Sequence, residues 1–220
     1  MTPKAVFIDF DGTLVDSLPS LFSFYLEFMK SFNLSGSKEE FSRLNGFSLP
    51  EMVAYLNRRY EFNLSKEELH QLYKERVVRL YQTHIQLFPG VEGCLSYLKS
   101  RAIRLGIVTS APFQLVSSFL EKRKLAGYFE HLVTSEGLSK GKPDPEIYLK
   151  ALHLYGIEAK KSIAIEDSVN GVQSALQAGI PTIQLLTEDS PNFQAEGALQ
   201  ATVGSWSEIL SLFDRACMQR

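Results

Sequence analysis

The chain opens on a short apolar run, Ala5 to Ile8, dominated by β-branched and aromatic residues, which predicts a buried strand. The period then changes. Leu21, Phe24, Tyr25, Phe28, Met29 and Phe32 recur at helical spacing, and the stretches Leu49 to Arg59 and Lys66 to Leu87 repeat the behaviour. Ser65, with Glu68 three residues on, has the form of a capping box. No strand is predicted between Pro19 and Leu87, so this region reads as an all-helical insertion bounded by Val15-Asp16-Ser17 and Phe88-Pro89-Gly90.

From Val91 helix and strand alternate. Helices near 91–100, 113–123, 145–155, 169–178 and 206–214 are interleaved with strands near 105–108, 131–134, 162–165, 182–186 and 201–203, Gly179 standing as a helix stop. Such alternation implies an α/β fold, a doubly wound and mostly parallel sheet with helices on both faces. The expected division is a core of residues 1–14 and 89–220 with a helical domain, 15–88, inserted in it.

Composition adds limits. At 220 residues, 45% hydrophobic and 22% charged, the chain suits one soluble core domain with a modest insertion. A formal charge of −2 lacks the basic footprint of a general nucleic-acid binder. No apolar run approaches the ~20 residues of a membrane span, and no charged leader with an apolar core precedes the first strand. Cys94 and Cys217 are too few for a disulfide framework. The expectation is a cytoplasmic protein without nucleic-acid or membrane partners, a monomer or weak homodimer.

Four polar clusters fall at or beyond the predicted strand ends, where open parallel sheets bind their ligands. Asp9 and Asp11 follow the first strand at its two-residue period and should project to one side. Asp-Gly is ordinary turn chemistry, but two carboxylates this close repel unless a cation or shared proton compensates, and Mg²⁺ suits carboxylate oxygens. Thr109 and Ser110, at a strand-to-helix turn, could bind phosphate oxygens or simply cap the helix. Lys142 sits in Gly141-Lys142-Pro143-Asp144-Pro145, a loop stiffened by prolines. Glu166-Asp167-Ser168 opens a helix; its acids would suit the helix dipole, and equally Mg²⁺. His70, His84, His131 and His153 show no close ligand spacing, which leaves zinc unsupported.

Together, Asp9-Phe10-Asp11-Gly12-Thr13, the Thr109 turn, Lys142-Pro143 and Glu166-Asp167-Ser168-Val169-Asn170-Gly171 resemble the four motifs of the haloacid dehalogenase-like hydrolase superfamily, over residues 7 to about 186. The resemblance implies a Rossmann-like core with a helical cap. It implies Asp9 as nucleophile, Asp11 as general acid and base, and Lys142 as the cation that offsets charge on nucleophile and phosphoryl group. It further implies phosphate binding by Thr109, with Ser110 standing where many relatives have Asn, and Mg²⁺ held by Asp9, Asp11 (through its backbone carbonyl), Asp167 and Glu166. Asp11 argues against a dehalogenase, since a halide needs no proton. Asp-Gly-Thr-Leu-Val-Asp-Ser, residues 11–17, is most similar to phosphoglycolate phosphatases and related enzymes acting on small phosphate monoesters.

The alternative is a β-phosphoglucomutase-like transferase. Those relatives carry a histidine shortly after the Asp-Ser/Thr pair and a basic residue after a cap-loop glycine. Here Leu18-Pro19-Ser20 and Phe47-Ser48-Leu49 stand in those places, and both favour hydrolysis. A non-catalytic binding or regulatory protein on the same fold is the reading from another class; the intact set of Asp9, Asp11, Lys142 and Asp167 argues against it. Arg43, Asn45 and Phe47 lie where a cap loop could touch substrate.

Overall fold

The computed structural model describes residues 2–45, 47–187, 193 and 199–218, the last three for their backbone only. Gly46 and the side chain of Cys217 lie outside the described residues.

Six strands form one sheet: β1 (Ala5–Ile8), β4 (Arg104–Thr109), β5 (His131–Thr134), β6 (Ser162–Glu166), β7 (Thr182–Leu185) and β8 (Ala201–Val203). Their order is β5-β4-β1-β6-β7-β8 and every pairing is parallel. β1 lies at the centre, where the order reverses direction. Its alternation decides which layer each side chain joins. Val6 and Ile8 enter a hydrophobic core shared with α5 (Val91–Ser100), α6 (Phe113–Lys122) and α9 (Trp206–Met218). Ala5 and Phe7 enter a second core on the other face, with residues of α7 (Glu146–Tyr155) and α8 (Val169–Gln177). The doubly wound α/β architecture expected from the alternation is therefore observed.

Between residues 18 and 83 the chain forms α1 (Leu18–Lys30), α2 (Lys38–Leu44), α3 (Leu49–Tyr60) and α4 (Lys66–Thr83). Aromatic rings hold them together: Tyr73 of α4 packs edge-on against Phe24 and Phe28 of α1, with centroids 4.8 Å away in both cases. Ser65 and Glu68 form the expected capping box at α4, and Ser48 and Glu51 form another at α3. Among the described residues no helix is long and apolar enough to cross a membrane.

Two local readings need correction. The helix expected to run to Leu87 stops at Thr83, and Gln86–Leu87 is a strand, β3, antiparallel to β2 at Val15–Asp16. Two residues are too short to show a period, so this ribbon leaves no sequence signal. It ties together the two chain crossings between the helical segment and the sheet, reinforced by a hydrogen bond from Phe88 N to Leu14 O at 3.2 Å. The second correction is α2, a helix of 7 residues for which no separate helix was expected.

Candidate active site

Asp9 leaves β1 at its carboxyl end, with its backbone N–H donated to Ile165 O of β6 at 3.0 Å. Asp167 follows β6, and the two carboxylates face each other with Glu166 beside them. Oxygens of Asp9, Glu166 and Asp167 lie within 4.8 Å of one another, and all three residues are buried. Lys142 reaches the cluster from the loop after β5 and is itself buried. Its Nζ donates to Asp9 Oδ1 at 2.6 Å, to Glu166 Oε1 at 2.6 Å and to Val108 O at 3.1 Å.

Local sequence explains how the pieces approach so closely. Gly12 sits at φ +75, and a Cβ there would lie 2.3 Å from Asp167 Oδ2, so both conformation and space require glycine. Gly171, in the first turn of α8, leaves the same kind of room: a Cβ would lie 2.0 Å from Glu166 Oε2. Thr13 Oγ1 donates to Asp167 Oδ1 at 3.1 Å, while Trp206 Nε1 of α9 donates to Thr13 O at 2.8 Å and pins the loop from below.

The arrangement is electrostatically costly. Burial drives the Asp9, Glu166 and Asp167 carboxyls above the ordinary carboxylate range. For Asp9 and Glu166 Lys142 works against the rise; for Asp167 the Asp9 charge adds to it, opposed by the Asn45 and Thr13 hydrogen bonds. Burial alone would lower Lys142, but Asp9 and Glu166 outweigh it and hold the ammonium charged. Lys142 offsets one negative charge of the three. The remainder, displayed by oxygen donors alone, suits a hard divalent cation. Glu166 Oε2, which has no hydrogen-bond partner among the described residues, points the same way. The residues present thus fit a metal.

Asp11 stands apart from this cluster. Its Oδ1 accepts the Ser17 hydroxyl at 2.6 Å and the hydroxyl of Tyr81 from α4. Burial pushes its carboxyl up to about 6; the Ser17 and Tyr81 bonds restrain the rise and the Asp9 charge adds to it. Both bonds fall on Oδ1, so Oδ2 is left facing the cavity for proton transfer.

Thr109 ends β4 and is buried; its Oγ1 accepts the Ala111 N–H at 3.1 Å, as in a turn cap. Ser110 is buried beside it, its backbone carbonyl accepting the Ser135 hydroxyl at 3.1 Å. Both line a cavity of about 120 Å³ whose floor carries Asp9 and Asp11. Of the three cap-loop residues singled out in the sequence, Asn45 and Phe47 also line it, whereas Arg43 is exposed and does not.

Sequence reasoning missed several neighbours. Tyr148 of α7 donates its hydroxyl to Glu166 Oε1, Tyr81 bonds Asp11, and Asn45 Nδ2 donates to Asp167 Oδ2 at 3.2 Å. Both tyrosines sit in apolar helical stripes, where an aromatic reads as core. Thr13 and Ser17 lie inside the quoted motif, and proximity to Asp11 was the available signal.

Comparison with known proteins extends this picture. The family model described as haloacid dehalogenase-like hydrolase matches residues 6–185. The chain is similar to a phosphorylated carbohydrates phosphatase of Thermotoga maritima, 32% identical over 82% of this chain and 83% of the relative. It is also similar to a 6-phosphogluconate phosphatase of Escherichia coli, 28% identical over 80% of each. In fold it resembles the crystal structure of CbbY from Rhodobacter sphaeroides in complex with phosphate, with a TM-score of 0.83 at 23% identity over 94% of this chain and 96% of that one.

Proposed function

The chain belongs to the haloacid dehalogenase-like hydrolase family, and on that premise we propose that it is a Mg²⁺-dependent phosphatase, hydrolysing a small phosphate monoester through an aspartyl-phosphate on Asp9. The observation that carries the reading is the meeting of Asp9, Glu166 and Asp167 around Lys142, at the carboxyl ends of β1 and β6, with Asp9 facing the cavity above. The phosphatase names of the relatives support it.

In this reading an oxygen of the Asp9 carboxylate attacks phosphorus as the ester P–O bond breaks. The departing alkoxide takes a proton from Asp11. Asp11, now a carboxylate, removes a proton from water, which attacks phosphorus and releases phosphate and Asp9. Lys142 holds Asp9 in position and offsets charge on the transferring group. The Thr109 hydroxyl and the nearby turn would receive phosphate oxygens, with Ser110 alongside. Mg²⁺ would be held by Asp9, Asp167 and the Asp11 carbonyl, with Glu166 behind them, and supplies neutralisation of the phosphate's negative charge. Residues 15–88 would act as a cap over this site, hinged at the β2–β3 ribbon.

Water is the proposed acceptor rather than a sugar hydroxyl. No lysine, arginine or histidine lines the cavity among the described residues, so nothing basic is present to hold a sugar bisphosphate by its distal phosphate. The proposed setting is the cytoplasm, supported by Cys94, a buried free thiol that burial pushes up to about 12.

The test is hydrolysis of p-nitrophenyl phosphate with Mg²⁺. Turnover that disappears in excess chelator and in Asp9→Asn supports the reading; undiminished activity in either condition overturns it.

A further inference from the structure

The cavity above Asp9 is walled by apolar side chains. Phe41 and Leu44 of α2, Phe47, then Leu49 and Met52 of α3 and Val77 of α4 line it opposite the sheet. Most of the polar groups among its lining are already engaged. Tyr81 and Asp11 bond each other, Thr109 Oγ1 takes a backbone N–H, and Asn45 bridges to Asp167. Among the described lining residues the ionisable acids are Asp9 and Asp11, at the reacting end. His70 and Lys74 line a separate groove together with Glu51 and Glu136; Leu49, Ser110 and Pro112 border both spaces.

Such a wall treats leaving groups unequally. A carboxylate or second phosphate on the leaving group would lose its water against a wall that carries no lysine, arginine or histidine among the described residues. A polyol would lose its water and find few free partners, and a hydroxyl desolvated without a partner is strongly penalised. A hydrocarbon group would gain from leaving water against Phe41, Leu44 and Met52. The small volume, about 120 Å³, leaves room for a few carbons.

We propose that the preferred substrate carries a small, uncharged, apolar group on its phosphate, and that the wall formed by Phe41, Leu44, Phe47, Leu49, Met52 and Val77 sets this preference. The inference rests on the phosphatase reading above and departs from the carbohydrate phosphates named for its relatives.

The experiment compares primary alkyl monoesters on the Mg²⁺-loaded protein. n-Butyl phosphate, glycerol 1-phosphate and 2-phosphoglycolate differ in polarity more than in size. kcat/KM for the butyl ester should exceed the other two by about 10-fold or more. Met52→Arg places a cation at the wall and should move the phosphoglycolate-to-butyl ratio upward by about 10-fold. Equal rates, or a preference for glycerol phosphate or phosphoglycolate, overturn the apolar assignment while leaving the phosphatase reading intact. An unchanged ratio in Met52→Arg contradicts the role of the wall. No turnover of any ester, p-nitrophenyl phosphate included, overturns both.

Discussion

Asn45 in the loop after α2 donates its side-chain amide to Asp167 Oδ2 at 3.2 Å, and its own carbonyl receives Asn170 Nδ2 of α8 at 2.9 Å. The helical segment is thereby latched directly to a carboxylate of the acidic cluster. A bond of this kind, to a charged acceptor, is worth about 1.5–3 kcal/mol. Asn45→Ala should lower kcat/KM by roughly 10-fold, by loosening closure and freeing Asp167 to rotate. The same loss should lower Tm by only a few degrees, because Asn45 is half-buried and water can replace part of the bond. A steady-state comparison with a melting curve checks both, and an unaffected rate would remove the latch from the account.

Asp11 offers a test by leaving group. If it supplies the proton, Asp11→Asn should slow alkyl phosphate hydrolysis by ~10²–10⁴-fold. The loss should be smaller for p-nitrophenyl phosphate, whose phenolate leaves without a proton. Read in kcat/KM, which excludes the later breakdown of the aspartyl-phosphate common to both esters, an equal loss would contradict an acid role.

The pH profile carries a signed expectation. With Asp11 raised to about 6 by burial, its acid form is lost as pH rises through that value, so kcat/KM for alkyl esters should decline on the alkaline side. The Tyr81 bond lowers this pKa, so Tyr81→Phe should move the falling limb to higher pH. A shift to lower pH would mean that the hydroxyl acts otherwise.

Lys142 is both glue and catalyst in this reading. Lys142→Met leaves Asp9 and Glu166 buried without their cation, which costs about 3–5 kcal/mol of stability where one partner of a buried pair is removed. Activity should fall about 10²–10³-fold, as it does when a stabilising donor at the reacting centre is lost. Denaturant unfolding and initial rates measure the two effects separately. A variant as stable and as active as the original would show that the pair does neither.

Cation removal should be felt in stability, and more at high pH. Asp9, Glu166 and Asp167 are all raised in the fold above their unfolded values. Their favourable contribution is full below the unfolded values, near pH 4, and is lost as pH rises through the raised ones. Bound Mg²⁺ restores what the ionised carboxylates lose and competes with their protons. The Tm gained on adding Mg²⁺ to chelator-treated protein should be larger at pH 8 than at pH 5.5. An equal or smaller gain at pH 8 would contradict a cation held by these carboxylates.

Much of this was legible in the sequence because motif and architecture coincide. The apolar run before Asp9 marks a buried strand, and Thr109 and Glu166-Asp167 follow similar runs. The structure brings Asp9 and Lys142, 133 residues apart in the chain, together with Glu166 and Asp167. The two-residue period puts Asp11 on the side of Asp9, but its bonds to Ser17 and Tyr81 lie beyond the strand, where that period says nothing. Tyr81 and Tyr148 were illegible for a different reason. Their rings satisfy a helical stripe, and only the tertiary position of the hydroxyl gives them a partner. The β2–β3 ribbon was too short to leave a pattern.

The central claim is that phosphorus is transferred to Asp9 before water receives it. Acid quenching during the first turnovers, followed by intact mass and peptide mapping, reads this directly. The account predicts one phosphoryl group on the peptide that contains Asp9, labile at alkaline pH as an acyl phosphate is, and none on Asp9→Asn, which should not turn over. Turnover by Asp9→Asn at a rate near that of the original protein, or a phosphoryl group mapped to another residue, would contradict it.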